Sequence, residues 1–227
     1  MTLPMTLVMF AALRQPTIID VKVLSSFSAP SPFTEVSMVA GQKKFHISAE
    51  EYLVGERVSP IKHEYRQGHV YAMMGAKKPH LVLASNLVML LGNHLSATPC
   101  LVFTSDIKVR LEATDCYYYP DVAVTCDERE LNGNEDFILY PSFVIEILSS
   151  STAAFDRGEK FADYQTCPTL KEYVLVDQIQ MQVECYRLSS VGDWIGQTYL
   201  AGEEISFSSL DFHCPIAHLY QKVPGLL

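Results

Sequence analysis

Closely spaced metal-binding cysteines are missing from this chain. Its six cysteines (Cys100, Cys116, Cys126, Cys167, Cys185 and Cys214) show no C-x-x-C or C-x-H spacing, so a structural zinc site has no ligand set to draw on. A disulfide framework is not expected either. Such frameworks serve small secreted domains that lack an adequate core, whereas this chain has 227 residues and is 48% apolar. Reduced thiols in a cytoplasmic protein are the expectation. No stretch reaches the roughly 18 consecutive apolar residues of a membrane helix. The apolar segment Leu3 to Leu13 is too short to span a bilayer, and no Lys or Arg precedes it as a signal peptide would require. The chain also lacks G-x-G-x-x-G, G-x-x-x-x-G-K-[ST] and G-x-S-x-G, which argues against dinucleotide, P-loop and nucleophile-elbow enzymes. There is one tryptophan, Trp194, and no internal repeat.

Basic residues are scarce as well. Seventeen Lys and Arg face 26 Asp and Glu, for a net charge of −9. Binding to nucleic acid rests on cations that neutralise phosphates. An acidic chain must therefore gather its cations locally, or build a basic channel by pairing as a homodimer. Carboxylates that hold a metal would themselves add to the acidity.

What is present reads as one globular α/β chain. Ser25 to Ser37 is rich in Ser and Pro and reads as a linker. Periodic structure begins after Met38, so residues 1–40 are expected to be an extension outside the domain and 41–227 the domain itself. Met38 is then the expected functional start, which intact mass or amino-terminal sequencing of the native protein tests. Ser48-Ala-Glu-Glu51 is a capping box that opens a short helix over about 49–55. HEYRQGHVYAM is a hairpin with Gln67-Gly68 at its turn. Pro79 to Leu95 repeats apolar residues as a largely buried helix, with Pro79 in its first turn. Leu101 to Leu111 alternates and predicts one strand with a wet face. Tyr117 to Thr125 and Ser142 to Leu148 are β-rich, the second so continuously apolar that it belongs at the centre of a sheet. A helix over Thr152 to Gln165, strands at Glu172 to Val176 and Met181 to Leu188, further β signals near Thr198 to Leu200 and Ile205 to Phe207, and a short helix near Ile216 to Gln221 complete the order. Helices packed on a central mixed sheet are the expected architecture.

Against this pattern, two acids stand where apolar residues belong. Asp121 follows Pro120 in YYYPDVAVT, and Glu146 interrupts FVIEIL. A carboxylate in a central strand costs several kcal/mol unless it is paired or binds a cation. Two such acids on adjacent strands can share a positive partner, and Mg²⁺ (or Mn²⁺) suits them because it takes one or two carboxylates and keeps several waters. Downstream, Asp156, Lys160 and Tyr164 recur every four residues and line one helix face. Leaning on the strand ends, that face would bring the Lys160 amine beside the metal to orient water or offset charge on phosphorus. Plainer readings exist for each: Asp121 as a strand-edge turn residue, Glu146 in a structural salt bridge, and Asp156–Lys160 as an ordinary i,i+4 pair. Glu64 and His80 are weaker candidates that satisfied structural roles would also explain.

Taken together, Pro120-Asp121, Glu146 in EILSSST, the D-x-x-x-K-x-x-x-Y of Asp156, Lys160 and Tyr164, and EYVLVD resemble the Uma2 family of restriction-endonuclease-like proteins. HEYRQGHVYAMMGA and the helix-opening His80 agree with it. The resemblance runs from about Phe45 to the carboxyl terminus. It implies a PD-(D/E)XK nuclease core of α-β-β-β-α-β order, with Asp121 and Glu146 as metal ligands and Lys160 as the active-site lysine. The linear E-x-K is broken, because Leu148 holds the strand position two beyond Glu146; the lysine has moved to the next helix. Glu64 becomes an additional acidic site residue. The function implied is a Mg²⁺-dependent endonuclease acting on DNA. Two rivals remain: a catalytically silent nucleic-acid-binding or regulatory protein that keeps the fold, and a protein-interaction module with an acidic surface.

Overall fold

Ser48 opens the first element, and the computed structural model shows the reciprocal cap its sequence predicts. The Ser48 hydroxyl accepts from the Glu51 N–H at 3.2 Å while the Glu51 carboxylate accepts from the Ser48 N–H at 2.8 Å. The structure describes residues 46–226, so the expectations for residues 1–40 and for a start at Met38 lie outside the described residues. The chain falls into two compact units that divide after Met73.

In the first unit, helix α1 (Ala49–Glu56) precedes the hairpin of β1 (His63–Arg66) and β2 (His69–Ala72). Gln67 and Gly68 both have positive φ, 49° and 82°, the backbone that a tight two-residue hairpin turn demands. Any side chain at Gly68 would also collide with the His46 ring, 2.3 Å from an added Cβ. Tyr52 of α1 stacks on Tyr65 of β1 at 5.2 Å and donates its hydroxyl to the His63 carbonyl at 2.6 Å. That pairing fixes the helix to the hairpin.

The second unit opens with α2 (Lys78–Leu95), whose Leu83, Leu87, Leu91 and Leu95 form one buried stripe at four-residue spacing. The strands that follow correct one expectation. Leu101–Leu111 is not a single strand: β3 (Leu101–Thr104) and β4 (Lys108–Leu111) are separated by a turn closed by the Ile107 N–H on the Thr104 carbonyl, 3.2 Å. The two strands go to different sheets. Alternation persists across a turn of this length, so the pattern alone could not reveal the break. Nor is Lys108 on a wet face; it is buried and paired with Asp136 at 3.1 Å. Pro120 likewise separates β5 (Cys116–Tyr118) from β6 (Val122–Thr125).

After α3 (Glu128–Leu131) and β7 (Phe137–Ile138) comes β8 (Phe143–Leu148), buried at every position as its composition predicts. The expected helix over Thr152–Gln165 is two short ones, α4 (Ala153–Arg157) and α5 (Glu159–Tyr164), broken at Gly158. A Cβ at Gly158 would press to 3.1 Å from the Ala154 carbonyl oxygen. Then follow β9 (Glu172–Asp177), β10 (Gln182–Leu188), β11 (Trp194–Leu200), the hairpin of β12 (Glu204–Phe207) and β13 (Phe212–Pro215), and α6 (Ile216–Leu219).

The main sheet has the order β11-β10-β9-β8-β6-β3. Only β8 and β9 run parallel, joined by the α4–α5 crossover; the other pairs are antiparallel. Reading α2, β3, β6, β8, α4–α5, β9 gives the α-β-β-β-α-β order of a restriction-endonuclease-like core, with β4 and β5 inserted after its first strand. Each face of the sheet carries its own core. Val122, Ile145 and Ile147 pack with the α2 stripe and the carboxyl-terminal residues Phe207, Leu219 and Tyr220. On the opposite face Ala123, Val144 and Leu148 pack with Tyr164, Leu170 and Tyr118. Among the described residues no helix is long and apolar enough to cross a membrane.

The cysteines give a second correction: Cys100 and Cys126 form a disulfide. The β3–β6 register ends on Leu101 opposite Thr125, so the next step sets the two cysteines face to face, with Cα atoms 4.1 Å apart. A separation of 26 residues gives no hint of this in sequence; strand pairing creates it. The other four cysteines are buried free thiols, and burial pushes Cys185 up to about 12 and Cys214 up to about 11. Thiol titration of the denatured, unreduced protein should therefore find four reactive groups, and six after reduction. Loop-closure entropy predicts that Cys126→Ser lowers unfolding free energy by about 3–4 kcal/mol, measurable by urea denaturation.

Candidate functional site

Antiparallel pairing of β6 with β8 runs up to Val122 opposite Ile145, which leaves Asp121 next along one strand and Glu146 next along the other. The fold thereby puts the two acids at adjoining positions at the end of the β6–β8 pairing, where the Asp121 carboxylate accepts the N–H of Ile147, the residue after Glu146. Pro120 contributes to this. It ends β5 and lets the chain bend at Asp121, freeing the side chain at the mouth of β6.

Asp121 uses both carboxylate oxygens. Oδ2 accepts the Ile147 N–H at 2.7 Å, continuing the strand ladder with a side chain in place of a carbonyl. Oδ1 lies 2.7 Å from His80 Nε2 on the first turn of α2. The helix is thereby tied to the carboxylate through the histidine that opens it. Glu146 faces the other layer: its carboxylate, 4% exposed as a residue, meets Lys160 Nζ at 2.9 Å. Lys160 is equally buried and also lies 4.0 Å from Asp156 Oδ1. The ammonium sits over the Tyr118 ring at 5.1 Å, a cation–π arrangement that gains strength out of water.

Four of the singled-out residues, Glu146, Asp156, Lys160 and Tyr164, therefore gather at one face of β8. Despite the break at Gly158, Asp156, Lys160 and Tyr164 are all buried there. Tyr164 contributes its ring, packed 5.7 Å from Tyr118 and 5.3 Å from Tyr173. Asp121 and His80 form an adjoining pair, joined to Glu146 through the peptide of Ile147. Glu64 belongs to the first unit, on β1 opposite Tyr71. Sequence reasoning missed Asp163 and Tyr118. Buried Asp163 accepts the Tyr118 hydroxyl at 2.6 Å, and burial, followed by the Cys116 and Asp163 charges, raises the Tyr118 phenol far above its ordinary range. Its signal was the tyrosine run 117–119, which reads as packing until β5 is seen to turn Tyr118 beneath Lys160.

Among the described residues, no three or more His, Cys, Asp and Glu side chains form a group suited to hold an ion. The donor set does not make a protein-only cage of the zinc or calcium kind. Asp121 and Glu146 supply oxygen donors, the kind a hard cation such as Mg²⁺ takes. A carboxylate offers about four acceptor positions, and Asp121 uses two. Glu172 supplies a contrast, since that buried strand acid takes Arg187 at 2.6 Å and the Ser208 and Ser209 N–H groups. It serves to anchor the chain after β12.

Comparison with known proteins decides the lineage. The model of the Uma2 family, described as "Putative restriction endonuclease", matches residues 49–217. The chain belongs to the Uma2 family. Two uncharacterized proteins of Synechocystis sp., slr1290 and sll1609, are 38% and 36% identical over 175 and 165 residues. These matches cover 77% and 71% of this chain and 92% and 93% of the relatives. A crystal structure titled "a putative nuclease belonging to DUF820" from Anabaena variabilis superposes with a TM-score of 0.64 at 17% identity, covering 77% of this chain and 97% of the other. At that identity the likeness bears on the fold, which is restriction-endonuclease-like in this Uma2 chain.

The buried ion pair makes a stability prediction. Removing one partner leaves an uncompensated charge, so Lys160→Met should cost about 3–5 kcal/mol, whereas Lys160→Met with Glu146→Leu should recover most of it. Urea denaturation of both variants checks this. Equal destabilisation by the single and the double change would show that the pair is not desolvated as described.

Proposed function

We propose that this chain is a metal-dependent endonuclease that hydrolyses phosphodiester bonds of DNA, with Asp121 and Glu146 as the ligands of Mg²⁺ or Mn²⁺ and Lys160 as the catalytic cation. The observation that carries the reading is the buried pair of Glu146 on β8 and Lys160 on α5 at 2.9 Å, with the Asp121 carboxylate adjoining it through the Ile147 N–H. Membership of a family described as "Putative restriction endonuclease" gives it support.

A bound divalent cation supplies charge neutralisation at the phosphate and a lowered pKa for water. The chain's own residues do the rest. His80 and the Ile147 N–H hold the Asp121 carboxylate in one orientation. Glu146 and Asp156 hold the Lys160 amine, and the amine donates to the attacking water or to a phosphate oxygen as charge grows on it. Water adds to phosphorus as the opposite P–O bond breaks, the water's proton passing to solvent and the departing oxygen taking one from solvent. The Tyr118 ring keeps bulk water from one side of the amine.

A second reading, a catalytically silent nucleic-acid-binding protein, draws on one observation: each acid already has a side-chain partner within the fold, the His80 ring for Asp121 and the Lys160 amine for Glu146. Plasmid nicking separates the two. With Mg²⁺ or Mn²⁺ the wild type should nick supercoiled DNA and EDTA should abolish it. Asp121→Ala, Glu146→Ala and Lys160→Ala should each lose at least about 100-fold. Equal nicking by wild type and variants would remove the assignment. Thermal stabilisation by the metal without turnover would favour the silent protein.

A further inference from the structure

The main sheet ends on β11, and among the described residues no strand pairs with its outer side. β11 is seven residues long, Trp-Ile-Gly-Gln-Thr-Tyr-Leu, with no charge and no proline, in a chain of net charge −9. Natural edge strands of that length are usually blunted by a lysine, a proline or a bulge. The opposite edge, β3, has four residues.

Hydrogen-bond parity shows which groups β11 presents outward. The Ser189 N–H donates to the Asp193 carbonyl at 2.8 Å, so that opposing pair is hydrogen-bonded. Antiparallel pairs alternate, and from 193 onward the register is continuous to Gln182–Leu200. Residues 195, 197 and 199 therefore bond inward to β10. Trp194, Gly196 and Thr198 turn their N–H and C=O groups out, while those of Leu200 are taken by Glu203. The ends agree: the Leu200 N–H goes to the Glu203 carboxylate at 2.6 Å, and the Leu188 N–H to Lys171 on the far side of β10.

We infer that β11 pairs antiparallel with β11 of a second copy of this chain, about a two-fold axis at Gln197, joining two main sheets into one. The sequence is self-complementary in that register. Gly196 and Thr198 of one copy exchange outward bonds with Thr198 and Gly196 of the other. Ile195, 60% exposed, comes opposite the other copy's Tyr199, and Leu200, 52% exposed, opposite its Trp194. Strand addition of this kind draws its strength from main-chain bonds, and an isologous contact closes at two copies. The acids that flank the strand, Asp193 and Glu203, confine the pairing to these uncharged residues.

Parity also supplies a clean test. The Thr198 N–H points outward, so Thr198→Pro removes a bond to the second copy while leaving the ladder to β10 intact. Thr198→Lys, which sets two like charges near the axis, is the companion in case proline disturbs the strand. Sedimentation velocity of the full chain, from about 1 to 200 μM, should show the wild type reaching twice the monomer mass. Both variants should stay monomeric, with wild-type circular dichroism and unfolding midpoint. A wild type that remains monomeric throughout, or variants that dimerise as the wild type does, would overturn the proposal.

Discussion

Burying a carboxylate in the middle of a fully enclosed strand is the constraint on which this structure turns. Every residue of β8 is buried, and Glu146 has apolar neighbours on both sides along the chain. An acid there is tolerable only with a cation close by. Lys160 meets that need from α5, and much of the surrounding architecture keeps it in place. The α4–α5 crossover that makes β8 and β9 parallel also carries Asp156 and Lys160 over Glu146. The Tyr118 ring lies against the amine with Tyr164 packed on it, and Asp163 accepts the Tyr118 hydroxyl. A buried ion pair is weak evidence for added stability.

Asp121 extends the same logic through the backbone. By accepting the Ile147 N–H it takes the place of a ladder carbonyl, so its position is set by the sheet itself. His80 then ties it to α2. The two acids are held by different layers of the fold, Asp121 by α2 and Glu146 by α5, and adjoin because β6 and β8 are neighbours. Rigid elements on both sides are what a site needs to hold its groups within a fraction of an ångström.

Much of this was legible in the sequence because the signals were strong and local. The capping box at Ser48, the Gln67-Gly68 turn, the leucine stripe of α2 and the continuous apolar run of β8 each follow from a single periodicity or turn rule. The proposed site stands out for the opposite reason: Asp121 and Glu146 break those rules. What could not be read depended on pairing in space. The division of Leu101–Leu111 into strands of two sheets and the meeting of Cys100 with Cys126 follow from strand order. So do the burial of Lys108 against Asp136 and the placing of Tyr118 under Lys160. No window of sequence contains that information. The break at Gly158 was a local signal, a glycine inside a helical pattern, and the four-residue spacing of Asp156, Lys160 and Tyr164 hid it because all three still face inward.

The central claim is that Asp121 and Glu146 share one divalent cation. Anomalous diffraction from crystals soaked in Mn²⁺ measures it directly. A single manganese peak within about 2.0–2.3 Å of a carboxylate oxygen of each acid, lost in Asp121→Asn, is the result the account predicts. A manganese site elsewhere in the chain, with Glu146 still paired only to Lys160 at saturating ion, would contradict it.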